Sequence, residues 1–124
     1  IVDDAVKRIA QRGVKVVVAA GNHGQNVSAY SPARVNHPNV YVIAAIDEND
    51  TYAAFSNYGN TVDFAVPGVN ILSTYGENQF AYMSGTSMAA PHVTGVLLAV
   101  GNNSTTDGSS SDDLDGNDRP VISY

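Results

Sequence analysis

Near the C-terminal third, Gly85-Thr86-Ser87-Met88-Ala89-Ala90-Pro91-His92 places a hydroxyl residue at the entry to an apolar run that continues to Val100. Acyl transfer needs a nucleophile, a base and hydrogen-bond donors for the developing oxyanion. A serine at a helix start has two assets for that work. Its backbone N–H lacks an intrahelical partner, and the helix dipole favours negative charge there. Gly85, Ala89 and Ala90 are small enough for a substrate backbone to come close. Pro91 reads as a first-turn proline, where a missing N–H costs nothing. A capping serine would carry the same local signature.

A second group stands at the end of "VVVAAGNHG", in Ala19, Ala20, Gly21 and Asn22. Ligands of open α/β sheets bind beyond the carboxyl ends of the strands, where Asn22 would offer an amide donor. Turn chemistry alone also accounts for an Asn there. The histidines offer no base. His92 lies five residues beyond Ser87, about 140° around a helix, and so faces away. His23 follows Asn22, and His37 reads as a solvated loop residue.

The elements that must position these residues follow from periodicity. Residues 2–12 carry Val2, Ala5, Val6, Ile9 and Ala10 in one helical stripe. Asp3 and Asp4 sit early and Arg8 and Arg12 late, as the dipole favours, and Gly13 suits the stop. "VKVVVAA", "VYVIAAI" (40–46) and "VDFAV" (62–66) read as strands buried on both faces, as in a parallel sheet. "ILSTY" and "FAYMS" flank a turn at residues 76–79 and read as a hairpin. An apolar helix over 87–100 completes an α/β layered order. Residues 102–124 change character: Ser, Asp, Asn and Gly dominate, which predicts an acidic loop or linker. The closing "VISY" suits one short strand. Asp107, Asp112, Asp113, Asp115 and Asp118 cluster there without the bidentate Glu of a calcium loop.

The 124 residues make one domain or part of one, and 44% hydrophobic content supplies a core. A net charge of −6 with only six Lys and Arg excludes a nucleic-acid binder. No apolar run reaches the roughly 18 residues of a membrane span. There is no Cys, so no disulfide and no thiolate metal site. The chain opens on Ile1 with a helix under way, and reads as starting in the middle of something.

"VVVAAGN" (16–22), "YSPA" (30–33), "FSNYG" (55–59), "VPGVNILST" (66–74) and "SGTSMAAPHVTG" (84–95) stand together in one order. Over residues 1–101 the chain resembles the subtilisin-like serine peptidases, the subtilases, and "YSPA", "FSNYG" and "ILST" look like their proteinase K-type branch. The resemblance implies a three-layer, parallel-sheet subtilisin-like fold, here an incomplete catalytic domain. It implies Ser87 as nucleophile, with Asn22 and the Ser87 N–H as oxyanion donors. Ala19, Ala20 and Gly21 would wall the S1 pocket and Tyr30 would lie near its base. His23 would sit on its rim. The family's order is Asp, His, Ser. Neither the Asp motif nor the His motif appears, so both are expected upstream, and the chain alone should not hydrolyse. Polypeptide substrates, the N-terminal part of the same domain as partner, and secretion are further implications. The chemistry needs no cofactor, and structural calcium is compatible with the complete enzyme. Met88 beside Ser87 implies oxidant sensitivity. A non-catalytic homologue that binds without turnover is the alternative. A nucleotide site at "GNHG" is disfavoured, because no phosphate-loop motif is present.

Overall fold

A computed structural model describes residues 1–101, 105–111 and 119–123. Helix α1 (Val2–Gln11) leads into β1 (Val16–Ala19), and a 3-10 turn (Val27–Ala29) interrupts the long connection to β2 (Val40–Ile46). Then come β3 (Val62–Pro67), the pair β4 (Ile71–Tyr75) and β5 (Gln79–Met83), and α2 (Thr86–Val100). Strands β6 (Thr105–Ser109) and β7 (Pro120–Ser123) close the order.

The central sheet has the order β1-β2-β3 and is parallel throughout. In the middle strand, Val42 to Ile46 are all fully buried, as an unbroken β-branched and small-residue run requires of a strand covered on both faces. Alternation divides that run. Val42, Ala44 and Ile46 pack with Ala10 of α1 and with Val27, Ala33 and Val35 of the connection. Ile43 and Ala45 pack against Ala89, Val93, Val96 and Leu97 of α2. Helix, sheet and helix make the three layers expected. Burying Ile43 and Ile46 contributes about 1.5–3 kcal/mol each.

Two polar devices fix the frame. The β2–β3 register slips by one residue at Val42/Ile43, leaving Asp63 as the extra residue. The Val42 N–H, orphaned from the ladder, donates instead to Asp63 Oδ2 at 2.9 Å. Although Asp63 as a residue is exposed, partial desolvation of its carboxyl raises it above its ordinary range, against that hydrogen bond and the Arg119 charge. On α1, Ser31 Oγ and Arg34 Nε both donate to the Asp3 carboxylate, which ties the helix to the connection. These bonds, Ser31's first, hold Asp3 below the usual carboxylate range.

β4 and β5 form the expected antiparallel hairpin, Ile71 opposite Met83 and Tyr75 opposite Gln79. In the C-terminal segment β7 is the short closing strand expected, while β6 stands where a loop or linker was expected. β6 and β7 pair antiparallel, and Val121 and Ile122 are buried against the sheet's two cores. Arg119, 9% exposed, donates from Nε to Val62 O and from Nη2 to Gly59 O. Few apolar residues suffice when the anchor is a buried guanidinium satisfied by backbone carbonyls. Asp112, Asp113, Asp115, Asp118 and the Asp107 side chain lie outside the described residues.

Candidate active site

The turn beyond β1 meets the start of α2. Gly21 N donates to Thr86 Oγ1 at 3.1 Å. Thr86 then donates twice to Asn22 Oδ1, from its N–H at 2.9 Å and its hydroxyl at 2.8 Å. A backbone N–H only donates, so the Asn22 atom facing it must be the oxygen. With Oδ1 occupied, Nδ2 turns toward Gly85, where an added Cβ would lie 3.3 Å from it. Asn22 is exposed. Its NH₂ therefore stands open on the side of the helix start.

Of the first four N–H groups of α2, three are engaged. Thr86 N serves Asn22, while Met88 N and Ala89 N both donate to Gly85 O. The Ser87 N–H has no partner among the described residues. Gly85 occupies the N-cap and has no side chain with which to cap the helix. Ser87 is thus not a cap: it is exposed on the first turn, its hydroxyl free of partners among the described residues. An open N–H at a helix start beside an amide NH₂ is a place for an oxygen that carries negative charge.

Two expectations for this helix need correction. Pro91 is its sixth residue, not a first-turn one, so its missing N–H leaves the Ser87 carbonyl without an i+4 donor. His92 does not simply face away. It borders the same pocket as Ser87, a volume of about 380 Å³ between α2 and the β4–β5 hairpin that also touches Leu72, Met83 and Met88. Its Nδ1 lies 3.0 Å from Met88 O, and no hydrogen bond joins it to Ser87 among the described residues. His37 is half-buried rather than solvated, with Nδ1 accepting from Asn39 N.

The proposed pocket wall is mostly committed elsewhere. Ala20 is 1% exposed, its N–H donating to Ile43 O and its carbonyl accepting from Asn57 Nδ2. Gly21, at φ +106°, has a steric reason to be glycine that needs no substrate: a Cβ there would stand 2.4 Å from Asn57 Nδ2. Ala19 is half-buried at the strand end. Tyr30 stacks on His23 with ring centroids 4.8 Å apart, and its hydroxyl donates to Gln25 Oε1. That pair lies on the same loop as Asn22.

Sequence reasoning passed over Thr86 and Asn57. Both are completely buried and polar, and both hold the Asn22 loop. "FSNYG" served as a family marker without any role for its Asn. Among the described residues, no three His, Cys, Asp or Glu side chains gather closely enough to hold a metal ion. Nor is any helix there long and apolar enough to cross a membrane.

Residues 2–112 match the family model described as "Subtilase family". The chain belongs to the subtilase family. It is 48% identical over 99 residues to the thermophilic serine proteinase of Bacillus sp. (strain AK1), covering 78% of this chain and 24% of that protein. It is 46% identical over 97 residues to subtilisin-like protease 1 of Pseudogymnoascus destructans, covering 77% and 24%. Its fold superposes on a cold-adapted subtilisin-like serine proteinase with a TM-score of 0.83 at 31% identity, covering 96% of this chain and 48% of the other. This subtilase chain spans about a quarter of the length of those two relatives, and its parallel sheet and flanking helices are those of the subtilisin-like fold.

Proposed function

We propose that this subtilase chain carries the nucleophile half of a serine endopeptidase site. Ser87 Oγ attacks the carbonyl carbon of a scissile peptide bond, and its proton passes to an imidazole supplied from outside residues 1–124. The oxyanion forms between the Ser87 N–H and Asn22 Nδ2. Collapse expels the amine, which takes the proton from the imidazolium and leaves an acyl-Ser87 ester. Water then repeats the sequence. The observation that carries this reading is the double hydrogen bond from Thr86 to Asn22 Oδ1, which leaves Nδ2 and the Ser87 N–H open side by side.

The relatives named above as serine proteinases support the same activity. Polypeptides are the substrates, with half-buried Ala19 and Gly21 beside the substrate side chain and Ala20 buried behind them, and the complete enzyme works outside the cell. The base and its orienting carboxylate belong to a part of the domain beyond this chain. Helix α2 supports that reading: it is mostly apolar and carries no Asp, Glu, Lys or Arg, yet Leu98 is 87% exposed on it. This chain alone should not turn over peptide.

The test is fluorophosphonate labelling of the full-length protein, with the adduct placed by mass spectrometry. An adduct on Ser87, absent from the Ser87→Ala variant, is expected. A folded full-length protein that takes no label is a non-catalytic homologue.

A further inference from the structure

Asn57 sits in the connection between β2 and β3, 35 positions from Asn22, and is 0% exposed. Its hydrogen bonds are spent on the loop around Asn22 and none goes to Asn22 itself. Before Asn22, Nδ2 donates to Ala20 O at 3.0 Å and the backbone N–H donates to Gly21 O at 2.8 Å. After it, Oδ1 accepts from His23 N at 2.9 Å and Gln25 N at 3.0 Å. Asn57 is itself pinned, since its carbonyl accepts from Tyr52 Oη at 2.8 Å and Ser56 Oγ at 3.1 Å.

A buried carboxamide costs free energy unless its donors and acceptors are met, and here one loop takes one N–H of Nδ2 and supplies both bonds to Oδ1. That loop has Gly21 and Gly24 at positive φ and so has little stiffness of its own. Gly21 also packs its Cα face directly on the Asn57 amide. Oxyanion donors act at hydrogen-bond distance from the developing charge and must be held within about 0.5 Å of that geometry. A loop free to shift by about 1 Å would forfeit on the order of a hundredfold in rate.

We propose that Asn57 is a positioning residue for Asn22: it clamps the backbone on both sides so that Thr86 captures the Asn22 oxygen and Nδ2 faces outward. The catalytic part of this rests on the serine endopeptidase reading above. A residue acting through Asn22 should lose its effect when Asn22 is gone.

The experiment is a double-mutant cycle in the full-length protein, with hydrolysis of a peptide p-nitroanilide as the assay. Asn57→Ala lowers kcat by about tenfold to a hundredfold and leaves KM within about twofold, because the donors serve the transition state. In an Asn22→Ala background the same substitution lowers kcat by less than about twofold. Equal losses in both backgrounds, or a loss confined to KM, would overturn the proposal. If Asn57→Ala does not fold, Asn57→Asp takes its place in the cycle. It is isosteric, keeps both acceptors and loses the donor to Ala20 O.

Amide hydrogen exchange needs no turnover. His23 and Gln25 should exchange faster in the Asn57 variant while Val16, bonded to Asn39 O, stays as in the parent. Unchanged exchange at His23 and Gln25 would refute the clamp. A parent that neither hydrolyses nor takes a fluorophosphonate refutes the peptidase reading instead, and exchange still decides the clamp.

Discussion

Replacing Gly21 by alanine tests the geometry of the site without relying on its chemistry. The new Cβ would stand 2.4 Å from Asn57 Nδ2 and 3.3 Å from its Cγ, distances that force a shift. Asn57 cannot yield cheaply, because its carboxamide is fully buried and hydrogen-bonded to Ala20, His23 and Gln25. The backbone adds a second cost, since φ is +106° and a side chain there is strained. Overpacking costs about 1–3 kcal/mol and the strained backbone about 1–3, so the sum is about 2–6 kcal/mol. Against a total stability of about 5–15 kcal/mol, that is a large fraction. The assay is urea unfolding of the full-length protein, with Gly21→Ala measured in the parent and again in Asn57→Ala. Removing the amide removes the clash, so the second cost should fall to the backbone part alone, about 1–3 kcal/mol. A cost under about 1 kcal/mol in the parent, or an equal cost in both backgrounds, would refute this reasoning.

On the proposed role, Asn22→Ala should lower kcat about 10²–10³-fold with KM little changed, a magnitude known for an oxyanion-hole donor of subtilisin; steady-state kinetics showing a pure KM effect would remove Asn22 from the oxyanion site. Peroxide should inactivate the complete enzyme through a sulfoxide at Met88, and a Met88→Ala variant should resist, so equal inactivation of the two would place the damage elsewhere. Asp63 gives a pH signature. Its folded-state value is raised above 3.8, so its contribution to stability is complete below that pH and is lost as pH rises through the folded value. Asp63→Asn keeps an acceptor for Val42 N but cannot titrate. The parent should therefore lose stability relative to the variant between pH 3.8 and neutrality, and a difference independent of pH would contradict the desolvation of the carboxyl.

The three central strands were legible because a parallel sheet covered on both faces demands apolar runs, unbroken in β1 and β2 and interrupted in β3 only by Asp63 at the bulge. The hairpin was legible from a turn rich in Gly and Asn, whose Gly76 and Asn78 both take positive φ. Ser87 and Asn22 were legible as residues standing at element ends. What joins them was not. Thr86 reads as a spacer inside a small-residue motif, and its role depends on Asn22, 64 positions away. Asn57 looks like ordinary turn chemistry, because nothing local reveals that its amide is buried against residues 20–25. The closing strand was legible in "VISY", but its partner β6 and the packing of the pair escaped for a related reason. Composition counts apolar residues, whereas this hairpin is anchored by two of them and one buried Arg119.

These misses share a physical cause, and it bears on how the site works. Local pattern finds groups that face a core or end an element, but a preorganised site is held by buried polar contacts between segments far apart in sequence. Here the segments are 20–25, 57 and 85–87. The Thr86 hydroxyl accepts from Gly21 N and donates to Asn22 Oδ1, so the strand-end loop and the start of α2 cannot move independently. The Gly85 carbonyl meanwhile takes the Met88 and Ala89 N–H groups, which leaves the Ser87 N–H as the open one. A shift of either segment therefore spoils both candidate donors together. Substitutions at Asn57, Thr86 and Gly21 should accordingly couple to Asn22 rather than add to it, although only Thr86 touches the Asn22 side chain.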